Sequence, residues 1–180
     1  MPNTPIRQHL LPEDALLVKY ANAGAYTDCY ITEIPASVTH AAYVEAFYTT
    51  AVFKLERLIL AWFVSRPSSD AQARRLAAGE LDSFAAWTVE ARSVNQLLMC
   101  DFQGRTRSWL MVAPVQGGGP AATRLYFGSA VVPTVNKATG HADLGATYRA
   151  LLGFHKLYSR VLLSAARSRL LRTAWREHVD

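Results

Sequence analysis

Gln96-Leu97-Leu98-Met99-Cys100-Asp101-Phe102, then Gln103-Gly104-Arg105, then Thr106-Arg107-Ser108-Trp109-Leu110-Met111-Val112-Ala113-Pro114-Val115 is the stretch on which the fold turns. Two runs rich in strand formers flank a short link containing glycine, the pattern of an antiparallel hairpin. The signature extends both ways. Phe84 to Val94 reads as a strand before it, joined through Ser93-Val94-Asn95. Thr123 to Val132 reads as a strand after it, joined through Gln116-Gly117-Gly118-Gly119-Pro120. Short links between successive runs predict a four-stranded antiparallel meander. Pro133 ends it, and Val135 to Asp143 reads as a loop.

Downstream, Leu144 to about Arg176 carries the clearest periodicity in the chain. At 100° per residue, Leu144, Tyr148, Leu151, Phe154, Tyr158, Leu162 and Ala165 share one face of a helix. Arg149, Lys156, Arg160 and Arg167 share the opposite one. Arg169 and Arg172 then rotate onto the apolar side, so core packing is expected to end near residue 168.

Upstream, residues 12–20 suggest a short helix with acids in its first turn, and Ala25 to Ile34 a strand closed by Pro35. Ser37 or Thr39 can cap a helix running to about Val64, with Val44, Phe47, Tyr48, Ala51, Leu55, Leu58, Ile59 and Trp62 on one side. Asp70 to Ala78 forms a small helix stopped by Gly79. The order is helix, strand, long helix, short helix, four-stranded meander and long C-terminal helix. The expected fold class is α+β. Its arrangement is the helix-grip, a curved antiparallel sheet wrapped around a long C-terminal helix. Residues 1–168 are expected to form one domain, and 169–180 a basic helical tail.

Residues Gly145-Ala146-Thr147-Tyr148-Arg149-Ala150-Leu151-Leu152-Gly153-Phe154-His155-Lys156-Leu157-Tyr158 resemble the end of a bacterial family of unknown function. Members close with Gly-x-x-Tyr, then Pro-Phe-His and a hydrophobic helix; Gly153 stands where that family more often has proline. Tyr26-Thr27-Asp28 ahead of a strand, and the aromatic helix after it, fit the same family. It is assigned to the helix-grip superfamily of START and birch-pollen-allergen-like (SRPBCC, polyketide cyclase-like) proteins. The central meander looks like a distinct branch. The superfamily holds lipid binders, hormone receptors, cyclases and hydrolases, so the resemblance implies the fold more than an activity.

Composition excludes several classes. With 51% hydrophobic and 18% charged residues the chain can build a core and is not a disordered polar segment. The N-terminus lacks a basic end followed by an apolar run, so no signal peptide is expected. The most apolar stretch, Ala46 to Val64, carries Lys54, Glu56 and Arg57 at its middle, which argues against a membrane span. Cys29 and Cys100 are far apart, and a reduced cytoplasmic pair is the expected state. Residues 1–140 carry 12 basic and 11 acidic side chains, and residues 141–180 carry 7 and 3. The net charge of +5 therefore belongs mainly to the C-terminal segment.

No familiar catalytic motif is complete. The five histidines form no HxH, HxxxH or HExxH, so no metal or cofactor is expected. No GxSxG elbow occurs, and Ser129 reads as a packed or hydrogen-bonded serine within a strand. The triple glycine lacks the Lys-Ser/Thr of a phosphate loop. A basic segment without interleaved aromatics gives no expectation of nucleic-acid binding.

The leading expectation is a small apolar or amphipathic molecule bound between sheet and C-terminal helix, contacting Phe47, Tyr48, Trp109, Tyr126, Tyr148, His155 and Tyr158. One alternative is a cyclase- or hydrolase-like enzyme using His155 with a carboxylate, Asp28 or Glu90, in the same cavity. Another is a protein–protein interaction module. Thr88, Glu90 and Arg92 are expected on one face of their strand, with Asp101, Arg105, Arg107 and Arg124 on neighbouring strands; which face points inward is left open. The tail, through Arg169, Arg172, Trp175 and Arg176, could meet a second copy or an acidic surface.

Overall fold

The computed structural model describes residues 4–54, 68–116, 121–135, 142–143 and 146–176. The side chains of 134–135, 142–143, 146–155 and 174–176 lie outside that description.

Seven strands form one antiparallel, open sheet: β1 (Arg7–Gln8), β2 (Tyr26–Ile34), β3 (Ser83–Phe84), β4 (Trp87–Arg92), β5 (Gln96–Asp101), β6 (Thr106–Pro114) and β7 (Thr123–Val131). Their order is β1-β2-β7-β6-β5-β4-β3. The meander is present as expected, and β2 pairs with its last strand over nine residues, from Tyr26 opposite Val131 to Ile34 opposite Thr123. The helices that lie within the described residues include α1 (Val18–Asn22), α2 (His40–Tyr48), α3 (Asp70–Ala77) and the long α4 (Ala146–Arg176). A small hairpin of β8 (Thr134–Val135) and β9 (Ala142–Asp143) occupies part of the stretch expected to be loop. The sheet wraps around α4, which packs on β2, β7 and α2. This is a helix-grip architecture.

Alternation divides the sheet's side chains between two cores. Tyr30, Ile34, Leu97, Met99, Leu110, Leu125 and Phe127 face α2 and α4, and join Tyr43, Phe47, Leu162, Leu163 and Ala166 in the larger core. Cys29, Ile31, Leu98, Trp109, Met111, Tyr126 and Ala130 face the other way and pack under Leu11, Ala15, Leu17 and Tyr20 from the N-terminal segment. The sheet is therefore buried on both faces at its centre. That explains why Gln96 to Cys100 and Leu125 to Val131 read as near-continuous runs whose inner face could not be chosen from sequence.

Four local differences from expectation have physical causes. The first helix is shorter than residues 12–20, because the chain there is mostly a turn in which the Ala15 N–H donates to the Pro12 carbonyl. The helix expected to reach Val64 stops at Tyr48. The Thr50 hydroxyl donates to the Phe47 carbonyl (3.0 Å) and accepts from the Phe53 N–H (3.2 Å), so it closes one helix and caps the helical residues 51–54. The remainder of that expected helix lies outside the described residues. Residues 84–94 do not form one strand, since Ala85 takes a positive φ of 52° between β3 and β4.

The fourth difference is a bulge in β4. Val89 pairs with Met99 and Ala91 with Leu98, so Glu90 is an extra residue. The bulge moves Arg92 off the face shared by Thr88 and Glu90. Its guanidinium instead donates to the carbonyls of Leu76 (2.8 Å) and Leu81 (3.1 Å), capping the end of α3. The start of α3 carries a full capping box between Ser69 and Gln72. Its stop at Gly79, with φ of 83°, is as expected.

Among the described side chains of α4 the buried ones are Ser159, Leu162, Leu163, Ala166 and Leu170. This face is rotated by about 80° from the one the sequence pattern suggests, close to one residue at 100° each. Arg169 and Arg172 consequently lie on its flank rather than in its path. Core packing, expected to end near residue 168, runs on to Leu170 and in part to Leu171.

Candidate functional site

Between α4, the end of α2 and the inner face of the sheet lies a cavity of about 130 Å3. Phe47, Phe53, Phe127, Tyr158 and Leu162 supply its apolar walls. Ser108 and Ser129 reach it from β6 and β7, and Ser159 from α4. Register explains the grouping. Ser108 stands opposite Ser129, and Ser129 opposite Asp28, so one rung crosses three strands with every member on the helix side. All three are buried, as is Ser159.

Asp28 organises this rung. Its Oδ1 accepts from the Ser129 hydroxyl at 2.6 Å and from the Ser129 backbone N–H at 3.1 Å. Ser129 is thus the hydrogen-bonded strand serine that was expected. Around the carboxylate stand two tyrosines of the same strand face. Burial pushes Tyr26 up to about 12, with the Asp28 charge and a hydrogen bond to it adding. Burial and the Asp28 charge also raise Tyr30, while Arg160, 5.4 Å from the Tyr30 ring centroid, acts against them. Both phenols stay protonated at neutral pH and can serve as hydrogen-bond donors.

The opposite face holds a second polar cluster with a different job. Glu90 accepts from Lys19 (2.6 Å), from the Tyr20 hydroxyl and from Arg107 Nε (2.6 Å). Arg107 also donates to the Tyr20 hydroxyl (2.8 Å) and the Gly104 carbonyl (2.6 Å), and its guanidinium lies 4.7 Å from the Tyr20 ring centroid. Burial alone would raise the Glu90 pKa, but the hydrogen bonds from Lys19, Tyr20 and Arg107 hold it below the usual carboxylate value. The cluster fastens α1 across the sheet. Gln96 holds the turn ahead of α1, its Oε1 accepting from the Leu16 N–H and the Trp109 indole, both at 2.9 Å.

The expected contact residues therefore separate. Phe47 and Tyr158 line the cavity. Tyr48 is buried beside it, packed against Phe47, Phe53 and Phe84. Trp109 and Tyr126 belong to the core on the other face, under the N-terminal segment, and do not line it. Asp28 is on the cavity side and Glu90 is not, so the two carboxylates cannot serve one site. Arg107 and Glu90 share the outer face; Arg124 donates there to Glu33 at 2.8 Å. Asp101 closes the β5–β6 turn by accepting from the N–H groups of Arg105 (2.7 Å) and Thr106 (3.0 Å). The side chains of Tyr148, His155, Trp175 and Arg176 lie outside the described residues.

Sequence reasoning missed Ser159, Ser108 and Phe53. A signal for Ser159 existed: Leu163, Ala166 and Leu170 follow it at helical spacing and define a face free of arginine. Cys29 sits on the outer face, where burial, with the Asp28 charge adding, pushes its thiol up to about 12. It stays protonated at neutral pH and is a poor nucleophile. Among the described residues no group of three His, Cys, Asp or Glu could hold a metal ion, and no helix is long and apolar enough to cross a membrane.

Sheet, grip helix and cavity define a helix-grip α+β protein. No protein-family model matches the chain, and no curated protein matches it in sequence.

Proposed function

We propose that the protein binds a small apolar or amphipathic molecule between the sheet and α4. The observation that supports this most is the cavity's composition, with aromatic and aliphatic walls and a few polar groups among them, Thr106, Arg107, Ser108 and Ser129 from the sheet and Ser159 from α4; Asp28 holds the Ser129 hydroxyl from the neighbouring strand. Apolar pockets with a few placed polar groups are what small-molecule sites look like. The size narrows the ligand. A cavity of about 150 Å3 lined by aliphatic side chains accommodates benzene. At about 130 Å3 this one takes a single ring or a short branched chain, with a hydroxyl directed at the serines.

The bacterial SRPBCC family suggested by the Gly145 to Tyr158 segment is consistent with this reading, and a cytoplasmic location with the reduced cysteines. The cyclase- or hydrolase-like alternative draws support from one observation, the burial of Asp28 on the cavity side. It requires the His155 imidazole to reach the same space.

Native mass spectrometry of the protein purified under gentle conditions, followed by organic extraction, tests the proposal. An adduct of one small apolar molecule per chain, released on unfolding, is the expected result. A ligand-free mass together with no response to any added ring compound would contradict it.

A further inference from the structure

A second concave site lies further along α4, where the end of α2 turns into the helical residues 51–54. It measures about 350 Å3 and is lined by Thr49, Thr50, Lys54, Ser168, Arg169 and Arg172 among others. It shares no lining residue with the cavity. Its charge is one-sided. Arg169 and Arg172 stand one turn apart on the flank of α4, and neither forms an ion pair with a carboxylate among the described residues. Arg169 makes one long contact, 3.5 Å from Nη1 to the Thr49 carbonyl, which leaves most of its five N–H donors unused. Lys54 adds a third cation, bridged to Asp70 at 2.5 Å. Two arginines lining one concave surface, with no carboxylate among its lining residues, match an oxyanion better than water or an apolar group.

We infer that this pocket binds a phosphate-sized dianionic group through Arg169 and Arg172, with Lys54 and the Ser168 hydroxyl at its margin. The chemistry is that of a phosphate monoester, whether carried by a soluble organophosphate or by a lipid head. The rotation of the buried face on α4 is what creates the site, because it keeps Leu170 in the core while leaving the two arginines at its edge. The inference does not depend on what occupies the cavity.

Calorimetric titration with inorganic phosphate at low ionic strength tests it, alongside sedimentation with phosphatidylcholine vesicles with and without phosphatidic acid. Arg172 is exposed, so Arg172→Gln should fold as the parent does. The variant is expected to bind phosphate about tenfold more weakly, the loss of one charge-assisted hydrogen bond. Lys156→Gln, an exposed cation elsewhere on α4, is expected to change nothing. Phosphatidic-acid vesicle binding that falls in the same variant would assign the group to a lipid head; free phosphate binding alone would assign it to a soluble molecule. Neither probe binding, or equal losses in Arg172→Gln and Lys156→Gln, would overturn the inference.

Discussion

The indole of Trp109 lies against the backbone of Gly128, its cross-strand partner, on the face of the sheet away from α4. A Cβ at position 128 would come within 2.8 Å of Trp109 Cε3, 3.0 Å of the Asp28 carbonyl and 3.1 Å of Leu17 Cδ2. Glycine is required there by close approach, not by an unusual φ. Gly128→Ala should destabilise the protein by about 2–3 kcal/mol, because a clash with backbone cannot be relieved by rotating a side chain. Thermal unfolding reads this as a fall of about 5–10 °C. An unchanged midpoint would mean that Leu17 and Trp109 are not packed as described.

The cluster of Glu90, Arg107, Tyr20 and Lys19 should govern how tightly the N-terminal segment covers the sheet. Glu90→Gln removes the charge while keeping the shape, and is expected to cost about 1–3 kcal/mol. The effect should be local. Hydrogen exchange ought to quicken at residues 15–22 while the amides of β6 and β7 keep their protection. Uniform acceleration across the sheet would show that the segment is inseparable from the core.

His40 gives the protein an acid sensitivity. Burial lowers its imidazole to about 4, with the Arg92 charge adding and a backbone hydrogen bond at Leu110 opposing. The unfolded chain takes up the proton near 6.5 while the folded chain does not. Stability contributed by the neutral ring is therefore complete above pH 6.5 and is lost as pH falls towards 4. The loss should be of the order of 1–3 kcal/mol. His40→Gln should flatten urea-denaturation stability across that window. A variant as acid-sensitive as the parent would place the cause elsewhere.

Leu170 marks how far the core runs along α4. Leu170→Ala should cost about 2–3 kcal/mol, as for other buried leucines. Chain ending after Ser168 should melt lower than the full chain, since it also loses Leu171. An unchanged melting temperature for the truncated chain would restore the boundary at residue 168.

The large features were legible from sequence because each rests on a local rule. Gly104 and the short links announce the meander, Ser69 and Gly79 bracket α3, and the periodicity after Leu144 gives the grip helix. What was not legible depends on contacts between distant segments. Nothing local to β4 shows that Glu90 is a bulge, so strict alternation places Arg92 on the wrong face. Trp109 and Tyr126 look like cavity aromatics until Leu17 and Tyr20 are seen to cover them. The polar rung was hidden because Asp28, Ser108 and Ser129 meet only through strand register, over a separation of 101 residues between Asp28 and Ser129.

The most direct test of the account is a thermal titration of the protein and its Leu162→Phe variant with benzene, phenol, cyclohexanol and naphthol. Leu162 forms a wall of the cavity, and a phenyl ring there would fill much of its space. The parent should be stabilised by single-ring compounds, with phenol and cyclohexanol exceeding benzene because the serines can meet their hydroxyl. At about 100 times the dissociation constant the gain should approach 2.7 kcal/mol. Naphthol should act more weakly, and the variant should respond to none of them. Equal shifts in parent and variant, or no shift in the parent with any ring, would contradict ligand binding in this cavity.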